Sequence, residues 1–292
     1  MTESEDFATY SQDLRAAIEQ RLEKIFDACN DTIVRRVAEY VTLGGGHRWR
    51  GMMAIAAGEI FSPDAKKINL PVACGVELAH AASMLLDDLP SMDNANMRRG
   101  KRCAHHVFPT WAVDMAPSYL VALAFQAELD NPLASPDHRV ASALALSHAG
   151  LNMAQGQEMD LNQNTHGDVE GAVLQCYQQK SAALYAATTK TGALLCGADA
   201  RQCQLLFECG AQLGMSYQFL DDVADVIGDS ESIGKETGMD KEKTTSVELY
   251  GVDESAERSQ KFVETALIQL NEFGPEADHL RLLVSRASWA SV

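Results

Sequence analysis

The sequence predicts an all-α fold, and three observations carry that expectation. Apolar residues recur with the 3.6-residue period of a helix through most of the chain. Alternation of the kind a half-buried strand requires is nearly absent. No stretch rich in Gly, Pro or Ser divides the 292 residues, and no internal repeat or low-complexity tract is found, so one domain over 1–292 is expected. At 46% hydrophobic residues the chain can bury a substantial core.

The elements follow in order. Apolar residues at 14, 18, 22, 25, 26, 29, 33, 34, 37, 40 and 41 trace one stripe, predicting one helix that stops at Gly44-Gly45-Gly46. Further helices are predicted over roughly 68–88, 111–129, 137–160, 169–197, 200–227, 255–272 and 276–290. Asp137 (after Pro136), Asp168 and Ser255 are the expected N-caps.

A net charge of −17 argues against a nucleic-acid partner, whose binding needs clustered Lys and Arg. Seven cysteines without metal-type pairing, and no signal-like segment in "MTESEDFATY", predict reduced thiols and a cytoplasmic protein. The longest apolar candidate, "LPVACGVELAHAASMLL", is interrupted by Glu77 and His80, so no transmembrane segment is expected.

The chemistry is concentrated in "LLDDLPSMDNANMRRG", residues 85 to 100. Asp87 and Asp88 close an apolar helix, at the end where the helix dipole disfavours negative charge. In an unbroken helix Asp93 would lie about 120° around the axis from Asp87. Pro90 stops the helix, however, and lets Asp93 fold back. A second cluster, Asp221, Asp222 and Asp225 in "SYQFLDDVADVIGD", ends another apolar helix, with Asp221 and Asp225 on one face. Two such clusters suggest two carboxylate walls facing each other. Hard oxygen ligands of this kind suit Mg²⁺ held jointly with substrate phosphates, and Arg98 and Arg99 then read as part of a diphosphate clamp.

With these motifs the chain resembles the trans-isoprenyl diphosphate synthases, most closely the bacterial geranylgeranyl diphosphate synthases, from about residue 40 onward. "DDLPSMD" with "RRGK" matches the family's first aspartate-rich motif, and "YQFLDDVAD" matches the second. "GVELAHAAS", "GQEMDL" and "GKETGMDKEKTTSV" match the segment before the first motif, the mid-chain signature and the lysine-bearing segment. The resemblance implies antiparallel helices around a central cavity, a homodimer, and Mg²⁺-dependent head-to-tail condensation of an allylic diphosphate (dimethylallyl, geranyl or farnesyl) with isopentenyl diphosphate. It implies three Mg²⁺ ions in the substrate complex, held by Asp87, Asp88, Asp93, Asp221, Asp222 and Asp225. By the same resemblance Arg98, Lys180, Lys235 and Lys243 hold the allylic diphosphate, and Arg50, His80 and Arg99 hold isopentenyl diphosphate. Ser181 stands at a threonine position, Gln218 follows the aromatic of a Phe-Gln pair, and Lys180 and Gln218 join the aspartates as catalytic residues. Lys241 is left unassigned.

The chain also departs from the family. "GGHRWRG" stands where Gly-Gly-Lys-Arg-x-Arg-Pro is usual, so His47 replaces a substrate-binding lysine and Gly51 a proline. A neutral histidine lacks the fixed charge, which predicts a pH-dependent affinity. Asn94, Ala95 and Asn96 thin the acidity of the first motif, and "MAPSY" lacks the usual Gly-Asp.

Product length is read from the helix leading into Asp87, where a growing prenyl tail meets residues one and two turns back. Ala82, Ser83 and Ala79 are all small. In the family small residues there accompany twenty-carbon products, whereas an aromatic stops growth at fifteen. Geranylgeranyl diphosphate is the expected product, and farnesyl diphosphate the alternative. Two less favoured alternatives remain. A class I terpene cyclase would usually carry an Asn/Ser/Glu second motif, where this cluster is all aspartate. A non-catalytic regulatory subunit would commonly have lost aspartates that are kept here, but the His47 replacement leaves it open.

Overall fold

Where the chain carries a 3.6-residue apolar period it is helical. A computed structural model describes residues 3–162, 167–228 and 243–287. Helix α1 (Glu3–Asp27) is followed by α2 (Ile33–Thr42), so the one helix expected over the 14–41 stripe is two. The break falls at Asn30-Asp31-Thr32, residues whose side chains compete for local backbone groups. The Thr32 hydroxyl accepts the Arg35 N–H at 3.1 Å and starts α2.

Helix α3 (Trp49–Glu59) was not expected, because residues 50–58 are buried on every side and leave no polar face to reveal a period. Helix α4 (Ala65–Asp87) has the length and composition of a membrane span, yet most of its apolar window is buried inside the bundle. A two-residue hairpin, β1 (Met97–Arg98) and β2 (Lys101–Arg102), turns through Arg99 and Gly100 at φ 53° and 71°. Helices α5 (Thr110–Leu129) and α6 (Pro136–Asn162) follow. The helix expected over 169–197 is α7 (Val169–Tyr177) and α8 (Ala183–Leu195), joined by a π-helical turn at Gln178–Ala182. Next comes α9 (Ala200–Ile227), with α10 (Ser246–Tyr250), α11 (Val252–Gln269) and α12 (Asp278–Ala287) after the residues not described.

Of the expected N-caps, Asp168 holds, accepting the Gly171 N–H at 2.9 Å. Asp137 instead lies inside the first turn of α6, where the Ser135 hydroxyl accepts the His138 N–H at 3.2 Å. Ser255 is buried within α11, which begins after Gly251 at φ 80°. An unanticipated capping box joins Asp199 and Gln202 at the start of α9.

Pairwise contacts set the helix directions. The Asn131 amide reaches the Ile68 carbonyl at 2.8 Å, so the end of α5 lies at the start of α4 and the two are antiparallel. Glu128 meets Ser142 and Ser181 meets Gln218, which makes the α5–α6 and α8–α9 pairs antiparallel as well. The centre is pinned by buried Asn69, whose amide donates to the carbonyls of Ala54 on α3 and Gly192 on α8, each at 2.9 Å. Such close approach requires glycine: a Cβ at Gly192 would lie 2.0 Å from the Ala54 carbonyl oxygen. Gly192→Ala is therefore expected to destabilise the protein by about 1–3 kcal/mol, read as a lower urea midpoint. A midpoint equal to wild type would contradict this packing.

Candidate active site

Helices α4 and α9 deliver their carboxylates to one cavity of about 1350 Å³. Its mouth is charged, and its depth is lined by small and apolar residues of α4, α5 and α6, among them Ala79, Ala82 and Ser83 as the sequence predicted. On the first wall the chain turns after Pro90, and the Asp93 N–H donates to the Asp87 carbonyl at 3.0 Å. Asp93 is thus folded back beside Asp87, as expected. Burial raises the Asp87 carboxyl to about 6 against the opposing pull of Lys180. Asp88 does not line this cavity. It is 4% exposed and accepts from Arg98 Nη2 and Nε at 2.6 and 2.9 Å. Adjacent helical residues point about 100° apart, and here Asp87 faces the cavity while Asp88 turns to Arg98. Asp88 is placed to orient Arg98.

The second wall repeats the division. Asp221, Asp222 and Asp225 all border the cavity. Asp222, however, accepts from the Tyr177 hydroxyl, from the Ser246 N–H and hydroxyl at 3.0 and 2.6 Å, and from the Gln218 amide at 3.0 Å. Burial still raises its carboxyl to about 6. Ligation by Asp222 would cost it these bonds. Gln218 in turn accepts from the Ser181 hydroxyl at 2.5 Å, so the predicted residues 181, 218 and 222 form one relay.

Two basic arms face these walls. Lys180 and Lys243 both reach Asp160, at 2.8 and 3.0 Å, and Lys243 also reaches Asp93 at 3.2 Å. Burial alone would raise the Asp160 carboxyl, but the two lysines outweigh it and hold it below the usual range. The π turn that carries Lys180 packs directly on Gly156, where a Cβ would lie 2.3 Å from the Lys180 backbone nitrogen. Lys235 lies outside the described residues, as does Lys241.

The other arm gathers His47, Arg50, His80 and Arg99, as predicted, together with Arg48. Arg48 takes a left-handed backbone (φ 57°), which directs its buried guanidinium to Glu77 at 3.7 Å. Arg50 stacks 4.2 Å over the Tyr185 ring and contacts His80 Nε2 at 3.1 Å. Arg99 donates to the Gly45 carbonyl at 2.7 Å. Burial, then the neighbouring arginines, hold His80 well below its usual range, and burial followed by Arg48 lowers Arg99. Like charges crowded in this way favour an anion.

Sequence reasoning missed Asp160, Arg48, Tyr177 and Tyr185. Asp160 was within reach, because it falls inside the quoted "GQEMDL" signature. The carboxylates suit a hard cation, and burial has raised two of them in a polar cavity where a cation would relieve the cost. Among the described residues no three His, Cys, Asp or Glu converge closely enough to hold a metal alone.

The family model described as polyprenyl synthetase matches residues 31–278. A chloroplastic geranylgeranyl pyrophosphate synthase of Catharanthus roseus is 33% identical over 277 residues, covering 93% of this chain and 77% of that protein. A farnesyl diphosphate synthase of Geobacillus stearothermophilus is 32% identical over 239 residues, covering 80% of each. The same fold is seen in a Caulobacter crescentus polyprenyl synthase crystallised with calcium and isoprenyl diphosphate, at TM-score 0.86 and 22% identity, covering 98% of this chain and 97% of that one.

The arginine arm yields a prediction. A Cβ on Gly46, already at φ 112°, would lie 2.6 Å from the Arg99 guanidinium carbon. Gly46→Ala should displace that group and weaken metal-free binding of inorganic pyrophosphate about tenfold, the worth of one charge-assisted hydrogen bond. Gly150→Ala, with open space around its Cβ, should bind as wild type does. Equal calorimetric affinities for all three would remove Arg99 from the anion site.

Proposed function

Because the chain belongs to the polyprenyl synthetase family, we propose that it is a short-chain trans-prenyltransferase making geranylgeranyl diphosphate. It condenses an allylic diphosphate with isopentenyl diphosphate head-to-tail, over one catalytic domain. The observation that carries this reading is a single cavity in which two basic arms and two carboxylate walls surround the mouth of an apolar tunnel.

In this reading Arg98, Lys180 and Lys243 hold the allylic diphosphate, with Lys235 from outside the described residues. Arg50, Arg99 and His80 hold isopentenyl diphosphate, with His47 at the rim. Asp87, Asp93, Asp221 and Asp225 would hold Mg²⁺, three ions with substrate bound, while Asp88 and Asp222 position their neighbours. When bound, the metal supplies charge neutralisation for the departing diphosphate. The calcium and isoprenyl diphosphate in the Caulobacter protein support divalent metal use. The lysine and arginine donors stabilise the same developing charge. Ionisation of the allylic C–O bond leaves a carbocation above the apolar tunnel, the double bond of isopentenyl diphosphate attacks it, and the released diphosphate takes the proton. Tyr185 and Tyr217, whose rings flank Arg50, help to keep the reacting carbons dry.

The small residues at 79, 82 and 83 support a twenty-carbon product. The Geobacillus relative favours farnesyl diphosphate as the second reading. A homodimer is supported by exposed Trp111 and Met115 on α5 and Leu144 and Leu151 on α6. Leu151 and Val121 are exposed and also line the cavity, so a second copy on this face would complete the tunnel wall. The seven free cysteines agree with a cytoplasmic location.

Purified protein incubated with isopentenyl diphosphate, each allylic primer and Mg²⁺ tests the reading through product chain length. Asp87→Ala and Asp221→Ala should each lower turnover by roughly three orders of magnitude or more while remaining folded. Near-normal turnover in either would sink the carboxylate assignment.

A pH dependence follows from His47. Burial, then Arg15 and Arg99, lower its pKa from 6.5, so its positive charge is present only as pH falls below that value. The KM for isopentenyl diphosphate should therefore fall as pH drops below about 6.5, and His47→Lys should lower KM and flatten the profile. The same KM profile in both proteins would mean that His47 does not touch the substrate.

A further inference from the structure

Helix faces that line the tunnel do not stop where the cavity stops. On α4 the lining residues Leu86, Ala82, Ser83 and Ala79 recur at three- and four-residue steps, and the next position on that face is Gly75. On α5 the series Val121, Ala124 and Phe125 continues to Glu128. On α6, running the other way, Gly150 and Leu146 continue to Ser142. These three next residues meet one another. The Ser142 hydroxyl donates to Glu128 Oε2 at 2.5 Å, and a Cβ on Gly75 would lie 2.8 Å from Glu128 Cγ. Glu128 is 1% exposed and Ser142 fully buried.

We propose that Glu128, locked to Ser142 and seated against Gly75, is the floor of the prenyl tunnel and the residue that ends chain growth. The inference rests on the prenyltransferase reading. A buried carboxyl is an unusual wall for a hydrocarbon site, and burial raises it to about 7, with only the Ser142 hydrogen bond opposing. A tail that pushed past it would have to break that hydrogen bond inside an apolar surrounding. Growth therefore stops at a polar barrier beneath an apolar tube. Gly75 is required because any side chain there would drive Glu128 out of place.

Depth agrees with this assignment. Gly75 lies twelve residues before Asp87 on α4, a rise of roughly 18 Å at about 1.5 Å per residue. A twenty-carbon prenyl group has sixteen carbons in line and extends to roughly 19 Å with C–C bonds of about 1.5 Å. A twenty-carbon group thus spans the distance to the Glu128–Ser142 layer, and a further isoprene unit, longer by about a quarter, would have to pass it.

The test compares products of wild type, Glu128→Ala, Glu128→Val, Glu128→Gln and Ala82→Phe, from labelled isopentenyl diphosphate and farnesyl diphosphate with Mg²⁺. Wild type and Glu128→Gln, which keeps an acceptor for Ser142, should both end at twenty carbons. Glu128→Ala should raise the share of longer products by about tenfold or more. Glu128→Val, which keeps an apolar filler against Gly75, should lengthen the product even if the alanine variant fails to fold. Ala82→Phe, higher in the tunnel, should limit growth to fifteen carbons when the primer is geranyl diphosphate. If Ala82→Phe shortens the product while folded Glu128 variants still end where wild type does, the floor is elsewhere and the inference is overturned. If wild type condenses nothing, the prenyltransferase reading fails and the floor with it.

Discussion

Asp87 ends α4 at the pole where the helix dipole opposes negative charge, half-buried and within reach of Asp93. Desolvation and like-charge proximity both work against its ionisation. Across the cavity, Arg99 and Arg48 stand in the converse position, crowded cations in a partly desolvated arm. Neither arrangement is comfortable alone, and each is relieved by a ligand of the opposite sign. Asp88 with Arg98, and Asp160 with Lys180 and Lys243, neutralise one another within the mouth. The mouth of the cavity is thus a set of charges kept in place by mutual pairing.

Below the mouth the constraint changes from charge to shape. Antiparallel packing of α4 on α5 and of α5 on α6 sets the small-residue face of α4 against apolar faces of α5 and α6, which leaves a tube instead of a packed core. The scaffold that keeps the tube open is held at buried glycines, Gly192 against Ala54 and Gly156 against the Lys180 turn. That last contact couples the layers, since the π turn both packs on α6 and aims a lysine into the mouth. Position along α4 then decides the chemistry a bound chain meets: carboxylates at its end, alanines one and two turns down, a glycine at the bottom.

Much of this was legible from residue spacing. Aspartates at helix ends, a proline that turns the chain back and paired arginines are strong local signals, and Asp93 does return to Asp87. Spacing alone does not separate the two members of each aspartate pair; tertiary contacts do, pairing Asp88 with Arg98 and Asp222 with Tyr177, Ser246 and Gln218. Asp88 and Asp222 consequently serve other side chains. Helix α3 escaped notice because complete burial removes the periodic signal, and the split between α1 and α2 was hidden because both halves bury the same stripe. Glu128 could not be singled out, since a lone acidic residue in a helix is usually solvated, and only tertiary contacts reveal it as buried.

The central claim is that the cavity holds two diphosphate sites of different kinds, one built of cations alone and one that needs metal. Calorimetric titration of inorganic pyrophosphate into wild-type protein, with and without Mg²⁺, tests it most directly. The account predicts one pyrophosphate per chain without metal and a second, Mg²⁺-dependent one with it, with Mg²⁺ affinity rising when pyrophosphate is present, as reciprocal linkage requires. Identical stoichiometry and affinity with and without Mg²⁺ would contradict it.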